Sequence, residues 1–108
     1  MTALKPHQVI VHASDVAEDV SRAVDTAGRL AQSIDGIRVT VIVNGAALDG
    51  VPAFTGDLPE AVDVRACALG MQRRGIDSGS LPKTVGITPS AAVAIVEAQL
   101  DGAPYLRL

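Results

Sequence analysis

The sequence predicts an α/β protein, a three-layer α/β/α sandwich around a mainly parallel five-stranded sheet. Two apolar runs, residues 9–11 and 39–43, are rich in β-branched side chains and continuous, which is typical of strands covered on both faces. Between them, apolar residues recur every three or four positions, as on one side of a helix: Val16, Val20, Val24, Ala27, Ala31 and Ile34. Strand, helix and strand in this order form the unit from which parallel sheets are built.

Capping residues, glycines and prolines predict where the next elements begin and end. Ser14 or Asp15 is available as the N-cap of the first helix, and Gly36 follows its end. Residues 44–61 are broken by Gly and Pro and predict a loop with at most a short helix. Residues 62–66 alternate as a third strand that ends at Cys67, and a helix of about two turns follows until Gly75 ends it.

The last third of the sequence predicts two strands and one helix. Residues 84–88 form the fourth strand. Thr88 as N-cap and Pro89 at the first helical position then begin an Ala- and Val-rich helix that runs to Leu100. Residues 105–106 are expected to finish the sheet as a fifth, edge strand.

Length and composition bound the function. The 108 residues, with 48% hydrophobic and 19% charged side chains, fit one domain over residues 1–108. The core side chains are mostly small, so self-association would help to stabilise such a domain. Nine basic against twelve acidic residues give a net charge of -3. Because nucleic-acid binding needs a cationic stripe, we expect no nucleic-acid partner.

No segment predicts targeting, a membrane span or a cofactor. The first residues lack the pattern of a secretory leader, and no run approaches the roughly 20 apolar residues of a membrane helix, so we expect a soluble, cytoplasmic protein. One cysteine and two histidines do not supply the ligands of a zinc site. Phosphate-loop, dinucleotide-binding and serine-hydrolase motifs are also missing from the sequence. We therefore expect neither a metal nor a cofactor.

The carboxyl ends of the predicted strands collect the polar and reactive residues. Ligands bind at this edge of open parallel sheets, because loops and helix N-termini converge there. The residues that follow or end the four main strands are His12, Ser14, Asn44, Gly45, Cys67 and Thr88.

Cys67 is the candidate nucleophile among them. A thiol at the start of a helix faces unpaired N–H groups and the positive end of the helix dipole, which favour the thiolate. The alternative is an inert core residue, because free cysteine is among the most buried side chains. His12 is either a proton shuttle or positive neighbour of the sulfur, or a strand-end histidine bonded to backbone or water. For Arg73 and Arg74, solvated side chains at the helix C-terminus are favoured over contact with the thiol.

Four segments together resemble the DsrE/DsrF-like family of small sulfur-handling proteins. They are VNGAAL (43–48), VRACALGMQRRGID (64–77), LPKTV (81–85) and TPSAAVAIVEAQLDGAPYLRL (88–108). The resemblance covers most of the chain from Val39 onward. It implies the DsrE-like form of the three-layer fold and homotrimers or homohexamers. It also implies a cysteine at the end of the third strand that carries sulfur as a persulfide, and Cys67 falls on that position, followed by the family's R-R-G at residues 73–75.

The resemblance leads to a sulfur carrier as the first hypothesis. Cys67 would receive sulfur from a donor protein and pass it to an acceptor, while Asn44, Gly45 and the backbone amide of Ala68 stabilise the anionic sulfur. The family's strand order puts the second strand between the first and third, so strand spacing places His12 about 10 Å from Cys67 and makes Asn44 the nearer neighbour. Two other hypotheses stay open: a non-catalytic binding or assembly module with Cys67 in the core, and a redox sensor that joins subunits through Cys67.

Overall fold

Five parallel strands form a single sheet in a computed structural model that describes residues 7–108. The prediction that the amino-terminal segment is not a secretory leader concerns a segment whose first residues, 1–6, lie outside this range. The strands are β1 (His7–Ala13), β2 (Ile37–Val43), β3 (Val62–Cys67), β4 (Val85–Thr88) and β5 (Tyr105–Arg107). Their order across the sheet is β4-β3-β2-β1-β5, and every pair is parallel. The α/β fold and the central place of β2 are thus as predicted.

Three helices flank this sheet. They are α1 (Asp19–Ser33), α2 (Ala68–Arg74) and α3 (Ala91–Leu100). The connection between β2 and β3 is made by a 3-10 helix, Gly45–Gly50, in agreement with the predicted loop with a short helix. Gly75 ends α2 in the left-handed conformation, at φ 67°, which a residue without a Cβ adopts most easily.

The starts of α1 and α3 differ from the prediction. Neither Ser14 nor Asp15 caps α1, which begins only at Asp19, because the buried Asp19 carboxylate accepts hydrogen bonds from the backbone N–H groups of Asp15 and Val16. These bonds hold the preceding residues in a turn. Thr88 ends β4 and caps nothing; α3 starts two residues later than predicted, where the Ser90 side chain accepts a hydrogen bond from the N–H of Val93.

The main core lies between one face of the sheet and α1. Odd-numbered residues of β1 and β2 and even-numbered residues of β3 supply it, as the pleat of paired parallel strands requires. Their partners along α1 are small, so the helix approaches the sheet closely. The buried residues of these four elements on this side are Val9, Val11, Ala13, Val39, Val41, Val43, Val62, Val64, Ala66, Val20, Ala23, Val24 and Ala27.

The opposite face of the sheet is only half covered. Helix α3 packs there against Ile10, Ile42 and Cys67, which form a second, smaller core. Beyond this contact the floor is polar and open, with Arg38 and Arg65 beside a groove of about 850 Å³. The expectation that the strands are covered on both faces therefore holds for one face and for part of the other. Within residues 7–108, no helix is long and apolar enough to cross a membrane.

Candidate functional site

Cys67 lies where three elements meet. It is the last residue of β3 and the N-cap of α2, and its side chain is on the face covered by α3. Its Sγ accepts a hydrogen bond from the backbone N–H of Ala91, the first residue of α3, at 3.3 Å. The thiol is therefore at the N-terminus of α3, where the unpaired N–H groups and the helix dipole favour negative charge. The sequence predicts that N–H groups of α2 face the thiol. In the structure the N–H group that donates to the sulfur belongs to α3.

The thiol borders an open pocket of about 410 Å³. Only 6% of Cys67 is exposed, so access to the sulfur is through this pocket. We take this pocket as the candidate site in preference to the larger groove, because it contains the only thiol of the chain. It is lined by Asn44, Gly45, Cys67, Leu69, Gly70, Arg73, Arg74, Ser90, Ala91 and Ala92.

Two glycines allow the pocket walls to approach one another. Gly45 has φ 56°, and a Cβ there would lie 2.7 Å from the backbone oxygen of Ser14. At Gly70, an added Cβ would lie 2.6 Å from a methyl carbon of Leu48 and 3.8 Å from both the Cβ of Cys67 and the backbone nitrogen of Gly45. A side chain at position 45 would push the start of the 3-10 helix away from Ser14, and one at position 70 would displace the buried Leu48 side chain.

Asn44 is held from behind by a buried histidine. Its Oδ1 is 2.7 Å from Nε2 of His12, and Nδ1 of the same ring is 2.6 Å from the Tyr105 hydroxyl. His12 is 8% exposed and does not line the pocket. The strand order that separates His12 from Cys67 by β2 is the one that the resemblance implies. The sequence predicts Tyr105 only as a strand residue, whereas in the structure its hydroxyl also bonds His12.

The two arginines at the end of α2 have different surroundings. Arg74 donates two hydrogen bonds to the Asp49 carboxylate, at 3.0 and 2.7 Å. This hydrogen bonding, helped by the charge of Arg74, holds the pKa of Asp49 below its ordinary value, and the same contact raises the pKa of Arg74. Arg73 takes part in no ion pair within residues 7–108. Both line the pocket; the charge of Arg74 is balanced by Asp49, so Arg73 is the arginine that gives the site positive charge.

The structure thus brings together some of the sequence candidates and leaves others apart. Asn44, Gly45 and Cys67 share the pocket. Ala68 begins α2 directly after the thiol but is not among the lining residues. Sequence reasoning missed Ser90, although a serine directly before an apolar helical run is a strong N-cap signal. Within the described residues, no group of three His, Cys, Asp or Glu could hold a metal ion.

Two solved structures share this arrangement of elements. The structure of the protein of unknown function MTH1491 from Methanobacterium thermoautotrophicum matches with a TM-score of 0.77 and 19% sequence identity, over 94% of this chain and 99% of that one. The crystal structure of the ychN protein from E. coli matches with a TM-score of 0.71 and 17% identity, again over 94% and 99% of the two chains. The chain has their fold. At these identities the likeness concerns the fold alone.

Comparison with protein-family models finds no match. Comparison with curated proteins gives no significant match either.

Proposed function

We propose that the chain is a cytoplasmic DsrE/DsrF-like sulfur carrier in which Cys67 alternates between thiolate and persulfide. The observation that carries the proposal is the hydrogen bond from Ala91 N–H to Sγ of Cys67, inside a pocket that also holds Arg73. A helix N-terminus favours a thiolate over a thiol, and Arg73 adds a cation to the lining of the same pocket. The fold shared with the two solved structures and the motif order described above agree with this proposal.

The proposed transfer is an exchange between thiolates and sulfane sulfur. The thiolate of Cys67, having lost its proton to water, attacks the outer sulfur of a donor protein's persulfide. A new sulfur–sulfur bond forms as the donor's sulfur–sulfur bond breaks, and the donor leaves as a thiolate. An acceptor thiolate then attacks the outer sulfur held by Cys67 and restores the Cys67 thiolate. No external oxidant or reductant is required, because each step moves one sulfur atom between thiolates.

The pocket groups that would stabilise the anionic sulfur are few. Ala91 N–H donates to Sγ in the structure, and Asn44 and Gly45 line the same pocket. A persulfide extends the side chain by one sulfur, so its terminal atom would enter the pocket between α2 and the 3-10 helix. Asn44, Gly45 and Arg73 are the residues that we propose meet it there.

A second candidate is a non-catalytic assembly module, and the surface of α3 favours it. The helix is mostly apolar, with Glu97 and Gln99 as its polar residues, yet Val93, Val96 and Leu100 are about half exposed or more. Such helices are normally buried. We propose a second copy of this chain as the occupant, in a homotrimer or homohexamer. The groove beside α3 carries Glu97 on the helix, Asp101 directly after it and arginines on the sheet floor, so two copies can offer each other opposite charges.

Labelling of the native thiol separates the two candidates. A carrier requires Cys67 to react with a small thiol reagent at neutral pH at a rate comparable to, or faster than, that of the unfolded chain. An inert core residue reacts only after denaturant unfolds the domain. Native labelling that is slower than unfolded labelling by a factor of about 100 or more would leave assembly as the function of this fold.

A further inference from the structure

We infer that His12 and Tyr105 are positioning residues that fix the Asn44 side chain at the Cys67 pocket. The inference rests on the proposed function, since it assigns the groups that orient a hydrogen-bond donor toward the reactive sulfur. Neither residue lines the pocket. Both act through Asn44, which does.

The three side chains form a continuous hydrogen-bonded chain across three neighbouring strands. Tyr105 is on β5, His12 on β1, and Asn44 follows β2 directly. The two links measure 2.6 Å from Tyr105 to His12 and 2.7 Å from His12 to Asn44. Because His12 is buried between its partners, water does not compete for its ring nitrogens.

The acceptor at one end sets the direction of the chain. Oδ1 of Asn44 can only accept, so Nε2 of His12 carries the hydrogen. In a neutral imidazole, Nδ1 then accepts, and the Tyr105 hydroxyl donates to it. Because Oδ1 of Asn44 accepts the hydrogen bond from His12, the NH₂ group of the same amide remains available as a donor. Asn44 lines the pocket of Cys67.

The anchor is needed because the local backbone does not hold this side chain. Asn44 is the N-cap of the 3-10 helix, but its side chain makes no capping hydrogen bond to that helix. An amide free to rotate would present its oxygen to the sulfur about as readily as its NH₂, and an oxygen repels a thiolate. Hydrogen bonds from behind, as around metal and catalytic ligands, remove this freedom.

A double-mutant cycle on the rate of Cys67 alkylation by iodoacetamide tests the inference. Asn44→Ala should slow alkylation about 10-fold, the loss of roughly one hydrogen bond to a charged group. His12→Met should slow it about 5-fold when Asn44 is present and less than about 2-fold in the Asn44→Ala background. His12→Gln, whose amide can donate from the place of Nε2, should restore most of the rate. Tyr105→Phe, an exposed and nearly isosteric change, should slow alkylation about 2-fold.

Nitrogen-15 NMR gives a readout that does not depend on sulfur chemistry. We expect the hydrogen of the neutral His12 ring on Nε2, and we expect Tyr105→Phe to shift the side-chain amide signals of Asn44, which the tyrosine does not bond. A ring hydrogen on Nδ1, or a His12→Met effect of equal size in both backgrounds, would overturn the inference. Native alkylation too slow to measure would overturn it as well. If the cycle behaves as expected but the wild-type protein takes up no sulfur from a persulfide donor, the proposed function fails and the positioning role stands.

Discussion

The sulfur of Cys67 and the backbone nitrogen of Ala91 are 3.3 Å apart, although 24 residues separate them in the sequence. The contact exists because β4 pairs with β3 in parallel, with Thr88 beside Cys67, so that the chain leaving β4 starts α3 directly over the thiol. One strand end and one helix start therefore meet at the same atom. This relationship is the structural basis of the proposed sulfur chemistry.

The N-cap of α3 is expected to affect both stability and thiol reactivity. Ser90→Ala removes the side chain that accepts from Val93 N–H and should lower the free energy of unfolding by about 1 kcal/mol. The first turn carrying Ala91 should fray, so Cys67 alkylation should slow by a factor of about 3 to 10. Ser90→Asn keeps a cap without adding charge and is the matched control. Urea unfolding and labelling kinetics measure the two effects, and a Ser90→Ala variant that labels at the wild-type rate would separate the helix N-terminus from the reactivity.

Sequence predicted the strands and the second helix because their signals are local. The β-branched runs and the glycine after Arg74 define elements without reference to the rest of the chain. One feature of the site depends on tertiary pairing instead. Tyr105 reaches His12 only because the three-residue strand β5 lies beside β1, and no local pattern encodes that neighbour. The start of α3 at Ser90 is predictable from the sequence, since serine is a better N-cap than threonine.

Two glycine substitutions are expected to change stability in opposite directions. A Cβ at Gly50 would lie 2.1 Å from the backbone oxygen of Ala17, which cannot move without shifting the turn before α1. Gly50→Ala should therefore lower the free energy of unfolding by about 2 kcal/mol or more. Gly28 lies within α1, and the new Cβ of Gly28→Ala would meet only Pro59, at an ordinary contact distance of 3.7 Å. Higher helix propensity should then stabilise the fold by about 0.5–1 kcal/mol. Equal effects of the two changes in urea titrations would contradict this packing.

The Asp49–Arg74 pair is expected to contribute stability that disappears in acid. The pKa of Asp49 is lowered in the folded state by its hydrogen bonds to Arg74, so the pair stabilises the fold above the unfolded-state pKa of about 4. That contribution is lost as the pH falls through the lower folded-state pKa. Asp49→Asn should reduce Tm slightly at neutral pH, by about 1–3 °C, and not at all near pH 2.

Salt and a second carboxylate serve as controls for this pair. Added salt should shrink the neutral-pH difference between wild type and Asp49→Asn, because both partners are at the surface. Asp57→Asn alters an exposed carboxylate that is in no ion pair within residues 7–108. Thermal melts that show the same pH dependence for both variants would contradict a specific role of Asp49.

The exposed apolar side of α3 is expected to hold copies of the chain together. Val96→Lys places a charge in the centre of that side, where Val96 is 54% exposed in the single chain, and should convert an oligomer into a monomer. The matched control is Gln99→Lys, which adds the same charge at another exposed position of the helix. Light scattering coupled to size-exclusion chromatography measures the outcome. A wild-type protein that is monomeric at high micromolar concentration would remove the proposed assembly.

The sulfur-carrier role of Cys67 can be measured from the intact mass of the native protein. The mass is taken after incubation with a low-molecular-weight persulfide and again after an acceptor thiol is added. We expect a gain of one sulfur atom on the wild-type chain, its loss to the acceptor, and no gain in a folded Cys67→Ser variant. A wild-type chain that gains no sulfur while remaining folded, or a Cys67→Ser variant that gains as much, would contradict Cys67 as a sulfur carrier.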